Sequence, residues 1–347
     1  VRIEQLTFTR FLAALSIVIF HYGKRSFLFN NEYVSFVFDQ ANIGVSYFFI
    51  LSGFVMIIAY DNKNIDAFDY LKNRLARIYP VYFIAIVLLI PIKLQYFNAT
   101  DLLLNITMLQ SWFPQKALKV NFVGWSLCVE MFFYILFPFL LNKLYSKTKL
   151  KFNFIWIISF WIISQILFHL IIFGIISPKI YSILDLYYHP LMHLNEFLVG
   201  NLAGLFFINK FQFYKKNYLP FILIFLIALL FLLKFPIGLN YHNGLMAIIF
   251  IPLILLISSS IDKFTKVFCN KGFVFLGEIS FGIYLYQDFI WSLLTDYRIK
   301  KYFYLDKKAD DTNSFMLRLF FLILISAISY LYIEKPMRNL IKRKIGN

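Results

Sequence analysis

Charge is scarce in this chain. Only 15% of its residues are Asp, Glu, Lys or Arg, against about a quarter in a soluble domain. The missing charge is replaced by a 61% hydrophobic content, 21% of the chain being aromatic. A soluble bundle of buried helices would need shorter apolar stretches and more amphipathic patterning than the sequence has. Cysteine is nearly absent. The two present, Cys128 and Cys269, lie far apart, which excludes a disulfide framework and any zinc spacing, and no metal site is expected. There is no compositional break or linker, so residues 1–347 read as one domain, with no extracytoplasmic domain appended. No internal repeat is visible. The first apolar stretch carries Arg10 and His21 and lacks a small-residue cleavage site, so it is expected to remain as a signal anchor. Acidic residues are outnumbered by basic ones, 18 to 34. In a membrane protein that excess points to cytoplasmic loops rather than to nucleic acid.

What is there is a series of apolar stretches of roughly twenty residues, the length that crosses a bilayer core. Ten spans are expected, at about 6–22, 42–60, 78–97, 124–142, 153–176, 190–209, 218–235, 243–260, 274–294 and 314–333. The expected fold is therefore an all-α integral membrane bundle. With the N-terminus inside, the inner loops collect Lys63, Lys72, Arg74 and Arg77, then Lys143, Lys147, Lys149 and Lys151. They also collect Lys210, Lys215, Lys216, Lys263, Lys266 and Lys271, and finally Lys335, Arg338, Lys342, Arg343 and Lys344. The outer loops hold fewer, so both termini are expected in the cytoplasm. Residues 98–123 are too polar to span and too apolar for a free loop. They are expected to form an interfacial or re-entrant segment lining a cavity.

Ionisable residues inside spans are costly and mark polar interiors or function. Arg10 and His21 lie on one span, about 16 Å apart along a helix axis. An imidazole titrates near neutrality and suits general base chemistry. The plainer readings are an interfacial histidine and a snorkelling arginine. Trp125-Ser126-Leu-Cys-Val-Glu130 opens the fourth span. With the assigned orientation, Glu130 is expected at the depth of His21, where a His–Glu pair would orient the imidazole. The plainer reading is a structural ion pair. Arg74 and Arg77, at i and i+3, share a helix face at the inner entrance to the third span. Guanidinium groups suit bidentate phosphate binding, although anchoring to anionic lipid would also place them there. Gly44 is expected to serve close helix packing, and Ser52 with Gly53 to line a path to the inner face. Glu278, Ser280 and Tyr284 form a polar strip, Glu196 lies within the sixth span and Glu334 closes the tenth. Each alone reads as structural, but together they imply a polar interior.

The segments Arg10–His21, GVSYFFILSGF at 44–54, RLARIYP at 74–80, WSLCVE at 125–130, EFLVG at 196–200, LGEISFGIYLY at 276–286 and YIEKPMR at 332–338 resemble, in order, those of the acyltransferase-3 family. The likeness covers nearly the whole chain. It implies a ten-span membrane enzyme that moves an acyl group, usually acetyl, from cytoplasmic acyl-CoA to a sugar hydroxyl of a surface or secreted glycan. By that resemblance His21 is the essential histidine, Arg10 its motif partner and Glu130 the acidic residue. Arg74 and Arg77, with Tyr79 and Ser52, belong to the donor side. Trp125, Ser126, Glu278 and Ser280 support the polar interior. Two departures stand out. Gln287 occupies a position where many members have histidine, and Ser46 one where many have Asp. The expected partners are acyl-CoA (acetyl-CoA as donor substrate, with no permanently bound cofactor), a glycan or lipid-linked glycan, and membrane lipid, in a bacterial inner membrane. A small-molecule acceptor, or a glycan transporter or flippase, are the alternatives. The missing internal repeat counts against the transporter.

Overall fold

The computed structural model describes residues 3–61, 63–177, 180–305 and 311–339. Lys342, Arg343 and Lys344 of the topology argument lie outside the described residues. Among the described residues the bundle holds ten apolar helices: α1 (Gln5–Tyr22), α2 (Ile43–Ala59), α3 (Ala67–Lys93), α4 (Trp125–Phe139), α5 (Leu150–Ile172), α6 (Pro190–Asn209), α7 (Leu219–Lys234), α8 (Ala247–Ser259), α9 (Lys271–Leu293) and α10 (Thr312–Ser329). No strand occurs among the described residues. Seven helical stretches, those containing α1, α3, α4, α5, α6, α9 and α10, are long and apolar enough to cross a membrane. Helices α2, α7 and α8 are apolar but shorter, with 17, 16 and 13 residues.

The third helix begins eleven residues before the expected span, at Ala67 rather than 78. Asp66 caps it, its carboxylate accepting from the Asp69 amide at 2.8 Å. Residues 67–77 are too polar to register as apolar sequence, yet they continue the same helix. Arg74 and Arg77 therefore sit on its body rather than in a loop. Pro80 and Pro91 are both inside it, a tolerance seen in membrane helices whose neighbours satisfy the freed backbone groups.

Helices α2 and α6 pack with their backbones in contact. A Cβ on Gly53 would lie 2.3 Å from the Phe197 carbonyl oxygen, and one on Gly200 would lie 2.1 Å from that of Ile50. Gly53 thus packs on α6 and does not line a path to the inner face, contrary to expectation. Gly44 takes the expected packing role, against Ile17 and Ala13 of α1.

Segment 98–123 lines a surface cleft rather than the interior cavity. It forms a short helix, Ala99–Ile106, opened by a capping box between Asn98 and Asp101, and then a series of turns. Its buried polar groups tie down helix ends. Tyr82 donates to the Asn105 carbonyl at 2.8 Å, Gln110 to that of Gly124 at 2.9 Å and Asn121 to that of Leu285 at 3.2 Å. Burial pushes the Asp101 carboxyl up, but hydrogen bonds from Lys116 and the Asn98 backbone outweigh this and hold it below its ordinary range. Asn98, Asp101, Gln115, Lys116 and Lys119 line that cleft with Tyr96, and none of the segment's residues lines the interior cavity.

Candidate active site

An interior cavity of about 340 Å³ opens among α1, α2, α3, α4, α9 and the end of α10. Four arginines line it, Arg10, Arg74, Arg77 and Arg338, against three glutamates, Glu130, Glu278 and Glu334. Ser52, Ser126 and Ser280 add hydroxyls. Arg77 feels the charges of Arg10 and Arg74, and Glu130 opposes them. Glu334 lies among Arg77, Arg10 and Arg338. Guanidinium groups gathered in this way suit the binding of an anion, with the three glutamates offsetting part of their charge.

Each group is held in place by a different device. The Arg74 guanidinium lies over the rings of Tyr60, Tyr70 and Tyr134, at 5.4, 5.3 and 5.5 Å, a cation–π cage that fixes its plane. Its Nε–H is buried without a partner among the described residues. Arg74 thus faces the interior, which removes the lipid-anchor reading. Glu130 accepts from Ser52 Oγ at 3.2 Å and from the Tyr134 hydroxyl at 2.5 Å. Glu278 is 3.8 Å from Arg338. At the end of α10 the chain widens into a π-helical turn, Tyr330–Glu334. That turn brings Tyr330, Glu334 and then Arg338 to the cavity wall, as such turns often do at functional sites.

His21 lies elsewhere. The ring is half-buried at the far end of α1, and its Nδ1 is 2.8 Å from Gln287 Oε1 of α9. Phe122 meets it edge-on at 4.8 Å. Beside it Asp288 accepts from Lys93 Nζ at 2.6 Å and from the Phe122 amide at 3.4 Å. The expected His21–Glu130 pair is therefore not formed. The error was one of depth. Segment 98–124 carries the start of α4 into the protein, where Tyr284 donates to the Val123 carbonyl at 3.2 Å. Tyr284 is three residues before Gln287, so α4 already starts about one helical turn below His21. Five residues further on, Glu130 falls into the arginine cavity.

Two further site residues lie outside this cavity. Tyr79 does not line the cavity; its hydroxyl donates to the Ile106 carbonyl at 3.1 Å and so holds segment 98–123. Trp125 is buried away from the cavity, its ring 5.1 Å from that of His193 and 4.9 Å from that of Tyr188. Glu196 makes a fully buried pair with His193 at 2.7 Å. Sequence reasoning did not single out the tyrosine cage around Arg74 or the place of Arg338. Its one usable signal was the tyrosine spacing around the RLARIYP segment, which gains meaning only once α3 is known to begin at Ala67. Helix α9 joins the two regions. Glu278, Ser280 and Tyr284 face the cavity, and Gln287 holds His21 about 10 Å further along. Between them Tyr284 meets Phe48 edge-on at 6.1 Å.

Comparison with known proteins adds to this geometry. A sequence profile of the acyltransferase domain of the acyltransferase-3 type matches residues 3–334. The acyltransferase MdmB of Streptomyces mycarofaciens is 29% identical over 151 residues, 40% of this chain and 39% of that protein. A protein of Acidianus two-tailed virus with a provisional acetyltransferase name is 25% identical over 85% of this chain and 83% of its own. Staphylococcus aureus proteins with a provisional O-acetyltransferase name are 25% identical over 95% of this chain and 56% of theirs. The chain thus spans about half the length of the staphylococcal relatives and less of MdmB. No solved structure matches.

Proposed function

This chain belongs to the acyltransferase-3 family, and we propose that it is a membrane O-acetyltransferase using cytoplasmic acetyl-CoA. Its acceptor is a hydroxyl of a bacterial cell-surface or secreted polysaccharide, and its place is the inner membrane. The observation that carries this reading is the division of chemistry along α9, with an arginine-rich cavity at one end and His21 at the other. The donor's phosphates bind the guanidinium groups of Arg74 and Arg77, with Ser52 beside them. The thioester arm extends past Tyr284 and Phe48 towards His21.

At His21 the acceptor hydroxyl attacks the thioester carbonyl carbon while the imidazole takes the hydroxyl proton. A carbon–oxygen bond forms. The carbon–sulfur bond then breaks, and the imidazolium returns its proton to the leaving sulfur, giving free CoA thiol and the ester. Arg10, on the same helix, stabilises the donor's negative charge. Glu130 holds Ser52 and offsets part of the arginine charge rather than orienting the histidine.

The test is acyl transfer by the purified protein in liposomes, from labelled acetyl-CoA to the host's surface glycan. Label is expected in the glycan as a base-labile ester. His21→Ala is expected to lower the rate by about 10²- to 10⁴-fold, the usual range for a general base. Normal glycan labelling by well-folded His21→Ala would sink the mechanism. Solute uptake without acyl transfer would instead identify a transporter.

A further inference from the structure

Gln287 does more than fill a position. The side chain is fully buried, and its two amide atoms are told apart by their partners. One end lies 2.8 Å from the Tyr284 carbonyl, which can only accept, so that end is the NH₂ group. The other end is then the carbonyl oxygen, and it faces His21 Nδ1 at 2.8 Å. An oxygen acceptor at that distance requires the proton on Nδ1. Nε2 is left with a lone pair and has no hydrogen bond to any described residue. The wall next to the ring is fixed as well, because Asp288 accepts from the Phe122 amide and is itself paired with Lys93.

We propose that Gln287 is a positioning residue that holds His21 in the Nδ1–H tautomer and so makes Nε2 the proton-accepting nitrogen. The proposal rests on the reading of His21 as general base. It assigns Gln287 the orienting part that a carboxylate plays in a Ser–His–Asp triad, with one difference. A neutral amide selects the tautomer but contributes no net charge to the imidazolium. The nearest carboxylate, Asp288, is committed to Lys93.

The experiment uses the full chain labelled with ¹⁵N-histidine in lipid nanodiscs, the His21 signals being assigned by their loss in His21→Ala. At pH about 9, above the ordinary imidazole range, the wild-type ring is expected to show a protonated Nδ1 and an unprotonated Nε2. Gln287→Leu should move the proton to Nε2. It should also lower kcat by roughly 10- to 100-fold, the size of loss seen when the partner orienting a metal-bound histidine is removed, with the KM for acetyl-CoA unchanged. Gln287→Glu, which keeps an acceptor, should restore the tautomer and most of the rate. If Gln287→Leu does not fold, Gln287→Met replaces it with closer shape.

A wild-type ring protonated on Nε2, an unchanged tautomer in Gln287→Leu or Gln287→Met, or a switched tautomer with full kcat would each overturn the proposal. Full acyl transfer by His21→Ala would overturn the function proposed above while leaving the tautomer result intact, so the two failures are distinguishable.

Discussion

Arg74 shows how a single guanidinium is held inside a membrane protein. Three tyrosine rings surround the guanidinium. They supply favourable faces without neutralising it, and its Nε–H has no acceptor among the described residues. A buried donor left unpaired costs about 1–3 kcal/mol, a cost that a phosphate oxygen would remove on binding. Lysine cannot reproduce this arrangement, because an ammonium group has no planar fork and does not stack. Arg74→Lys is accordingly expected to raise the KM for acetyl-CoA about tenfold, or roughly 1.4 kcal/mol, while kcat changes little. Initial-rate measurements in liposomes decide it, and an unchanged KM would remove Arg74 from the donor site. Glu130 is the counter-example at this scale. Its partners, Ser52 and Tyr134, make it part of the cavity's charge balance rather than of the histidine's setting.

Among elements, the α2–α6 contact has little freedom, as does α1–α9, where a Cβ on Gly277 would lie 1.9 Å from the Thr7 carbonyl oxygen. Neither α2 nor α6 can separate without opening the α2 face that presents Ser52 to the cavity. In lipid, association depends on close packing rather than on expulsion of water, so small residues at the crossing matter most. Gly200→Ala would put a Cβ 2.1 Å from the Ile50 carbonyl oxygen, closer than backbone atoms can accommodate without shifting. The expected loss is about 1–3 kcal/mol, the usual range for overpacking, read as a lower melting temperature in detergent. Gly272→Ala serves as a control for added side-chain bulk away from packing, since only Asn270 Oδ1, at an ordinary 3.5 Å, lies within 4 Å of the Cβ position there. Equal melting of Gly200→Ala and wild type would show that the crossing is looser than drawn. The π-helical turn after α10 is the other element with a clear consequence, since a regular helix would rotate Glu334 and Arg338 off the cavity wall.

For the whole molecule, the parts legible in the sequence were those set by local composition. All ten apolar segments are helical within a few residues, except where a polar start hid the first turns of α3 and where α8 begins at Ala247 rather than 243. The cavity's arginines were legible for the same reason, since charge stands out in an apolar span. Depth was not legible. Helix ends give depth only if all helices begin at one plane, and segment 98–124 departs from that by sinking α4. The partner of His21 was hidden by distance, the contact joining residues 266 positions apart. Orientation in the membrane rests on the basic loops, and it decides whether donor and acceptor meet from opposite sides. In a Cys269→Ser background, with Cys128 buried, an impermeant thiol reagent is expected to label Lys24→Cys from outside intact cells and Lys263→Cys only after lysis. Both sites flank helix ends at opposite ends of the bundle, Lys24 just beyond His21 and Lys263 just after α8. Reversed labelling would put the arginine cavity on the outer side, away from cytoplasmic acetyl-CoA. The proposed direction of acyl transfer would then be untenable even if every residue kept its role.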